Sequence, residues 1–298
     1  MDAMKLGSSD LRVSRVGLGC NNFGRRLDRE ATRAVIEAAL DVGVTFLDTA
    51  DVYGSGDSER FIGAALAGRR DEVVLATKFG QDASVPGPGG SREHVRTAID
   101  ASLERLGLDS VDLYYYHRPD GVTPLEATLE AMQELVDEGR VRALGLSNVD
   151  AEQIHRAAES GITVVAVQNH YSLLRPDDDA EVLPLCRELE IGYIPYFPLA
   201  SGRLTGKYRR GEPHPAGTRL AAEDVVDEDL ARVEALAAEA AVHGHSLLDA
   251  AIGGLASIPG IASVIAGATS PEQVRANAAA GAWHASARTL EGLARAAA

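Results

Sequence analysis

At 298 residues the chain is longer than the usual single core of roughly 100 to 200 residues. Barrels of α/β type with about 250 residues form one domain, and residues 1–298 are expected to do so. Hydrophobic content of 45% and charged content of 24% suit an ordered globular protein, and a net charge of −15 speaks against the clustered basic face that a nucleic-acid backbone requires.

Two cysteines, Cys20 and Cys186, stand far apart in no metal-ligand spacing and read as reduced thiols of a cytoplasmic protein. Met1 to Gly7 contains no apolar run of the secretory type. The charge-free stretch Ala250 to Ala268 approaches the length of a membrane span, but Pro259, four glycines and two serines interrupt it. It reads as helix, turn and buried strand, and no membrane association is expected.

In chain order, Lys5 to Ser14 is expected to form a short hairpin covering one end of the fold. Apolar runs then recur near Val16–Gly19, Thr45–Leu47, Val73–Thr77, Val111–Tyr116, Ala143–Leu146, Val164–Val167, Ile191–Tyr196 and Ala262–Ala266. Short continuous runs of this kind suit strands buried on both faces.

Helical patterns lie between them. Asp28 caps a stripe through Val35 and Ala38 that stops at Gly43, and Ser91 precedes Val95, Ile99 and Leu103 with a stop at Gly107. Thr123-Pro124-Leu125-Glu126 predicts a capping box with proline at the first helical position, a device that Asp150–Gln153 and Ser270–Gln273 repeat. Asp227–His243 is amphipathic, and Leu290–Ala298 predicts a terminal helix. Strand and helix alternating through eight units imply parallel pairing and a (β/α)8 TIM barrel. Long loops, Gly80–Gly90 and Pro198–Val226, are expected at the C-terminal face of its strands.

Chemistry in such barrels sits at the C-terminal strand ends. Asp48, Lys78, His117, Ser147, Gln168 and Tyr196 all fall there. Any one of them is explained as the polar residue that marks where a strand stops, but together they imply a site. The stretch Phe46-Leu47-Asp48-Thr49-Ala50-Asp51-Val52-Tyr53-Gly54 adds a phenol five residues after its carboxylate. A phenol of ordinary pKa near 10 is a weak acid at neutral pH unless a cation favours its anion. Lys78 can supply that charge, Asp48 can hold Lys78, and His117 can donate to a substrate oxygen as charge develops on it.

Seven stretches, in order, resemble the aldo-keto reductase family: the Phe46–Gly54 run, Ala76-Thr77-Lys78-Phe79-Gly80, Asp112–His117, Gly145-Leu146-Ser147-Asn148, Gln168–Ser172, Pro198–Gly202 and Gly267–Gln273. The resemblance implies an NADPH-dependent reductase of aldehydes or ketones, NADH being possible, with Tyr53 as proton donor and Asp48, Lys78 and His117 around it. It further implies that Ser147, Asn148 and Gln168 hold the carboxamide and that Tyr196 stacks on the nicotinamide. Leu199, Ser201, Gly202 and Lys207 resemble the diphosphate loop, and Arg219 the adenosine-side arginine. Thr269, Gln273 and Asn277 open and line the helix after the eighth strand, where an anion suits the helix N-terminus.

Three departures from the family's pattern stand out. No basic residue occurs in Gly267–Ser270, His170 stands where many relatives carry Glu, and Arg203 replaces an apolar residue and could reach the diphosphate. Arg118 is either a solvated flank of His117 or a bias toward anionic substrates. Phe23, Val52, Phe79 and Tyr115 are candidate specificity residues.

Competing motifs are weaker. Gly17-Leu18-Gly19-Cys20-Asn21-Asn22 lacks the third glycine of a dinucleotide fingerprint, and Gly202–Tyr208 is one residue short of a P-loop. His243-Gly244-His245 lacks a third ligand, so no metal is expected. Two rival readings remain: a Schiff-base lyase or aldolase using Lys78, and a cofactor-binding regulatory subunit on the same barrel. Composition leaves the oligomeric state open and gives no reason to prefer a dimer.

Overall fold

A computed structural model describes residues 1–85, 87–209, 212 and 227–298. Among these, β1 (Ala3–Lys5) pairs antiparallel with β2 (Arg12–Ser14), the expected hairpin. Eight strands close a parallel barrel in chain order. They are β3 (Val16–Gly19), β4 (Phe46–Asp48), β5 (Val74–Phe79), β6 (Val111–Tyr116), β7 (Val141–Ser147), β8 (Val164–His170), β9 (Gly192–Tyr196) and β10 (Val264–Gly267).

Alternation is absent from these strands because both faces are covered. All six residues of β6 are buried, Leu113 and Tyr115 toward a core shared with Phe46, Ala76, Ala166 and Ile194, and Tyr114 and Tyr116 in the outer core. The hairpin adds Leu6, Leu11 and Val13 to the core of Leu113 and Tyr115, so it plugs the barrel's N-terminal end. Gly7 makes that approach possible. Its φ is 55°, and a Cβ there would lie 2.3 Å from the Val165 carbonyl oxygen.

The outer layer contains α1 (Arg29–Asp41), α2 (Asp57–Ala65), α3 (Arg92–Leu106), α4 (Leu125–Asp137), α5 (Ala151–Glu159), α6 (Val182–Glu188), α7 (Asp227–Val242), α8 (Leu247–Asp249), α9 (Pro271–Ala280) and α10 (Ala287–Ala297). Asp28 and Ser91 cap α1 and α3, Gly107 ends α3 in the left-handed region, and Asp150 with Gln153 forms a full capping box on α5. Past α8 the chain continues as a π turn over Ala250–Gly254 and reaches β10 after the Pro259 break.

The box expected at Thr123 does not form. The Thr123 hydroxyl donates instead to Asp120 (2.9 Å), Glu126 is drawn to Arg156 (2.8 Å), and Pro124 itself is the cap. At α9 the device is altered: Ser270 accepts from the Gln273 N–H, but the Gln273 side chain accepts from Thr269 (2.8 Å). No described helix is long and apolar enough to cross a membrane.

Candidate active site

The barrel's C-terminal face opens into a cleft of about 750 Å³ lined by Asp48, Tyr53, His117, Ser147, Asn148, Gln168 and Tyr196. That volume is within the range of cofactor and substrate pockets. Lys78, at the penultimate position of β5, is fully buried beneath it. Its Nζ donates to Asp48 Oδ2 (2.7 Å) and to the Thr49 carbonyl (2.8 Å) and lies 5.2 Å from the centre of the Tyr53 ring. Burial works against the Lys78 cation, but Asp48 and Tyr53 more than offset it and hold the pKa above that of a free lysine.

Tyr53 reaches this position through a tight turn. Its N–H donates to the Ala50 carbonyl (3.2 Å), and Gly54, Ser55 and Gly56 follow at positive φ. A Cβ on Gly54 would meet the Phe23 carbonyl oxygen at 2.6 Å, so the sequence Tyr53-Gly54 is required by close packing against the loop after β3. Burial pushes the phenol's pKa up while Lys78 pulls it down; the net shift is upward, and the phenol is protonated at neutral pH.

Across the cleft His117 stands edge-on to Tyr53, the ring centres 6.0 Å apart. Burial, then the charges of Lys78 and Arg118, lower its pKa to about 3, so the imidazole is neutral. Its Nδ1 is buried without a hydrogen-bond partner among the described residues.

The residues expected around a nicotinamide are brought together, several of them already bonded. Gln168 Nε2 donates to Asp48 Oδ1 (2.8 Å), which ties it to the Lys78 pair. Asn148, at φ 57°, donates to the His117 carbonyl (2.8 Å) and to Ser147 Oγ (3.1 Å) and accepts from the Tyr196 hydroxyl (2.6 Å). Tyr196 has His170 stacked on it at 5.4 Å, and His170 is held by Arg175 (2.7 Å).

Leu199, Ser201, Gly202, Lys207, Thr269, Gln273 and Asn277 also line the cleft. Ser201 and Gly202 lie at φ 58° and 104°, and Lys207 Nζ would touch a Cβ on Gly202 at 3.3 Å, so the cation is directly beside this glycine. Lys207 has no carboxylate partner among the described residues, whereas Arg203 pairs with Asp229 (2.9 Å) and is not among the residues that line the cleft. Arg219 lies outside the described residues. A diphosphate-bearing nicotinamide fits this donor set: the Lys207 cation, the half-buried backbone at Gly202 beside it, and the capped N-terminus of α9.

Of the four candidate specificity residues only Val52 lines the cleft. Phe23, Phe79 and Tyr115 are fully buried, Phe79 between Tyr114 and Tyr116 at 4.7 and 5.2 Å. Their places are taken by Asn21, Asn22, Arg25, Arg26, Gln81 and Phe197. Sequence reasoning passed over the first two in testing a dinucleotide fingerprint; their place just past a strand's C-terminal end was the usable signal.

Comparison with known proteins agrees with this geometry. The model of the aldo/keto reductase family matches residues 15–295. A probable voltage-gated potassium channel subunit beta of Oryza sativa subsp. japonica is 38% identical over 296 residues, covering 93% of this chain and 90% of that protein. A probable aldo-keto reductase of Glycine max is 40% identical over 215 residues, 68% of this chain and 61% of that protein. The solved holo structure of an aldo-keto reductase from Bacillus halodurans superposes with a TM-score of 0.84 at 31% identity, covering 100% of this chain and 97% of that one.

Proposed function

The chain belongs to the aldo/keto reductase family of NAD(P)H-dependent oxidoreductases, and from that premise we propose that it reduces an aldehyde or ketone to an alcohol with NADPH, reversibly. The observation that carries this reading is the Asp48–Lys78–Tyr53 chain facing a neutral His117 across one cleft.

The nicotinamide, when bound, supplies the hydride. Tyr53 gives its proton to the carbonyl oxygen, and Lys78 stabilises the phenolate left behind. Asp48 compensates the buried Lys78 cation, and Gln168 holds Asp48 in place. His117, protonated on Nε2, donates to the same oxygen while its Nδ1 stays inward. Ser147, Asn148 and Gln168 would hold the carboxamide, and Tyr196, which donates to Asn148 and has His170 stacked on it, would stack on the nicotinamide. Leu199, Ser201, Gly202 and Lys207 hold the diphosphate, with Thr269, Gln273 and Asn277 toward the adenosine. Residues 1–298 act as one barrel domain.

The Schiff-base alternative requires an unprotonated, accessible amine. Lys78 is 0% exposed and its pKa is raised, the opposite condition. A regulatory role is favoured by one observation, the 38% identity to a probable channel subunit. The two are separated by measuring NADPH consumption over a panel of aldehydes, ketones and sugars with the wild type and Tyr53→Phe. Turnover that falls about 100-fold or more in the variant while NADPH still binds supports the reductase. Tight NADPH binding with no turnover anywhere in the panel would make it a cofactor-sensing subunit.

A further inference from the structure

The cleft reverses the charge balance of the chain. Aspartate and glutamate outnumber lysine and arginine by 44 to 29 overall. Yet among the described residues that line the cleft the single carboxylate is Asp48, already held by Lys78 and Gln168, while Arg25, Arg26, Arg118 and Lys207 line the same space. Lys207 is accounted for by the proposed diphosphate loop. Arg25 and Arg26 have no part in the mechanism above, and Arg118 enters it only through its charge beside His117.

None of the three forms an ion pair among the described residues, although arginines elsewhere do, as Arg60 with Asp57 (3.2 Å) and Arg105 with Glu59 (2.6 Å). Acids close to them are engaged: Asp28 caps α1, Asp120 accepts from the N–H groups of Gly90, Val122 and Thr123, and Asp57, packed against Gly24, pairs with Arg60. Arg118 directly follows His117, and its charge helps keep that imidazole neutral.

Arg25 and Arg26 stand on a compact turn rather than a loose tip. The Asn22 carbonyl accepts from the N–H groups of Arg25 (3.3 Å), Arg26 (2.8 Å) and Leu27 (3.1 Å), and Phe23 anchors the turn in the core. Gly24 abuts Gly54, so close that a Cβ on it would lie 3.3 Å from the Gly54 Cα. That contact sets the arginine pair beside the Tyr53 turn, with Arg118 on the His117 side. Free cations therefore flank both groups that would meet a carbonyl oxygen. A cleft of one sign in a protein of the other concentrates ligands of opposite charge.

We propose that Arg118, Arg25 and Arg26 form an anion subsite at the cleft mouth, which selects carbonyl substrates carrying a carboxylate or a phosphate group. This rests on the reading of the cleft as a carbonyl-reducing site. The cations act on KM rather than on the chemical step, because none touches the Lys78–Asp48 pair.

The test compares matched substrates, benzaldehyde with 4-carboxybenzaldehyde and glyceraldehyde with its 3-phosphate, in the wild type, Arg118→Ala and the double variant Arg25→Ala/Arg26→Ala, at low and high salt. A second arm titrates benzoate, phenyl phosphate and neutral benzamide calorimetrically into each protein, with NADPH affinity measured separately. The wild type is expected to favour at least one anionic member about ten-fold through KM, a preference reduced in both variants and by salt, with the neutral member altered less than about three-fold. Carboxylate and phosphate preferences are read separately from the two pairs. If no carbonyl is reduced, anion-selective binding that weakens in the variants sustains the subsite while the reductase reading fails. An unchanged preference, or arginine variants that lose NADPH affinity but keep the preference, would overturn the proposal and give these cations to the cofactor.

Discussion

Replacing Lys78 with methionine removes the charge on which the proposed acid depends and keeps most of the side chain's volume. Two costs follow, and they are separable. Asp48 is 2% exposed and keeps only the Gln168 amide as a side-chain partner, so stability should fall by about 3 to 5 kcal/mol, the usual loss when one half of a buried pair is deleted. A cation 5.2 Å from the Tyr53 ring contributes on the order of 3 kcal/mol to the phenolate at an effective dielectric of about 20, or roughly two pK units. Reduction is then expected to slow about 100-fold, and the basic limb of kcat/KM to move to higher pH, since Tyr53 donates only while protonated and its pKa rises further without Lys78. Stopped-flow pH profiles of the wild type, Lys78→Met and Lys78→Met/Asp48→Asn would measure this. The double variant should recover much of the denaturant midpoint and none of the rate. A double variant that recovers the rate, or a basic limb that stays put in both, would refute the role given to Lys78.

Asp51 offers a pH test away from the reacting atoms. Its carboxylate oxygens are buried without a hydrogen bond of ordinary geometry, and burial, then Glu59 and Asp82, push its pKa up to about 7. A carboxyl raised on folding stabilises fully below its unfolded value near 4 and loses that contribution as pH rises through 7. The loss is up to about 4 kcal/mol from a shift of about three units, so urea midpoints of the wild type should decline between pH 5 and 8.5 while Asp51→Asn stays flatter; parallel curves would contradict the assignment. Gly54→Ala must place a Cβ 2.6 Å from the Phe23 carbonyl at φ 58°. It should cost at least about 2 kcal/mol and lower kcat by displacing Tyr53, and a variant with wild-type stability and rate would show that the turn is not fixed by this contact.

Much of this was legible because barrel strands are short, apolar and followed by the residues that do chemistry. The run Leu113–Tyr116 before His117 and Leu75–Thr77 before Lys78 placed both side chains at strand ends, where the closed barrel has them. Two helices were not legible. In α2 the early residues Ser58 and Glu59 are buried to bond Cys20, Thr77 and Arg105, which hides the apolar stripe that would mark a helix. In α6 Pro184 falls in the first turn, which tolerates it, yet reads as a breaker in a seven-residue segment. The bonding of Gln168 to Asp48 crosses the barrel from β8 to β4, 120 residues apart in sequence, and no local pattern encodes it. Phe79 was misplaced because alternate residues of a strand face opposite cores and it lies in the outer one, whereas Tyr115 faces the barrel interior but is fully buried below the cleft, its ring 5.9 Å from Lys78 Nζ.

The most direct test of the central claim follows the hydride itself. NADPH deuterated at C4, prepared separately as each diastereomer, is supplied with an aldehyde that the protein turns over, and the alcohol is analysed by mass spectrometry and NMR. The account predicts one deuterium on the former carbonyl carbon from one diastereomer and none from the other, as a single fixed nicotinamide face against Tyr196 requires. Label arriving from both diastereomers, or from deuterated water with none from the cofactor, would contradict it.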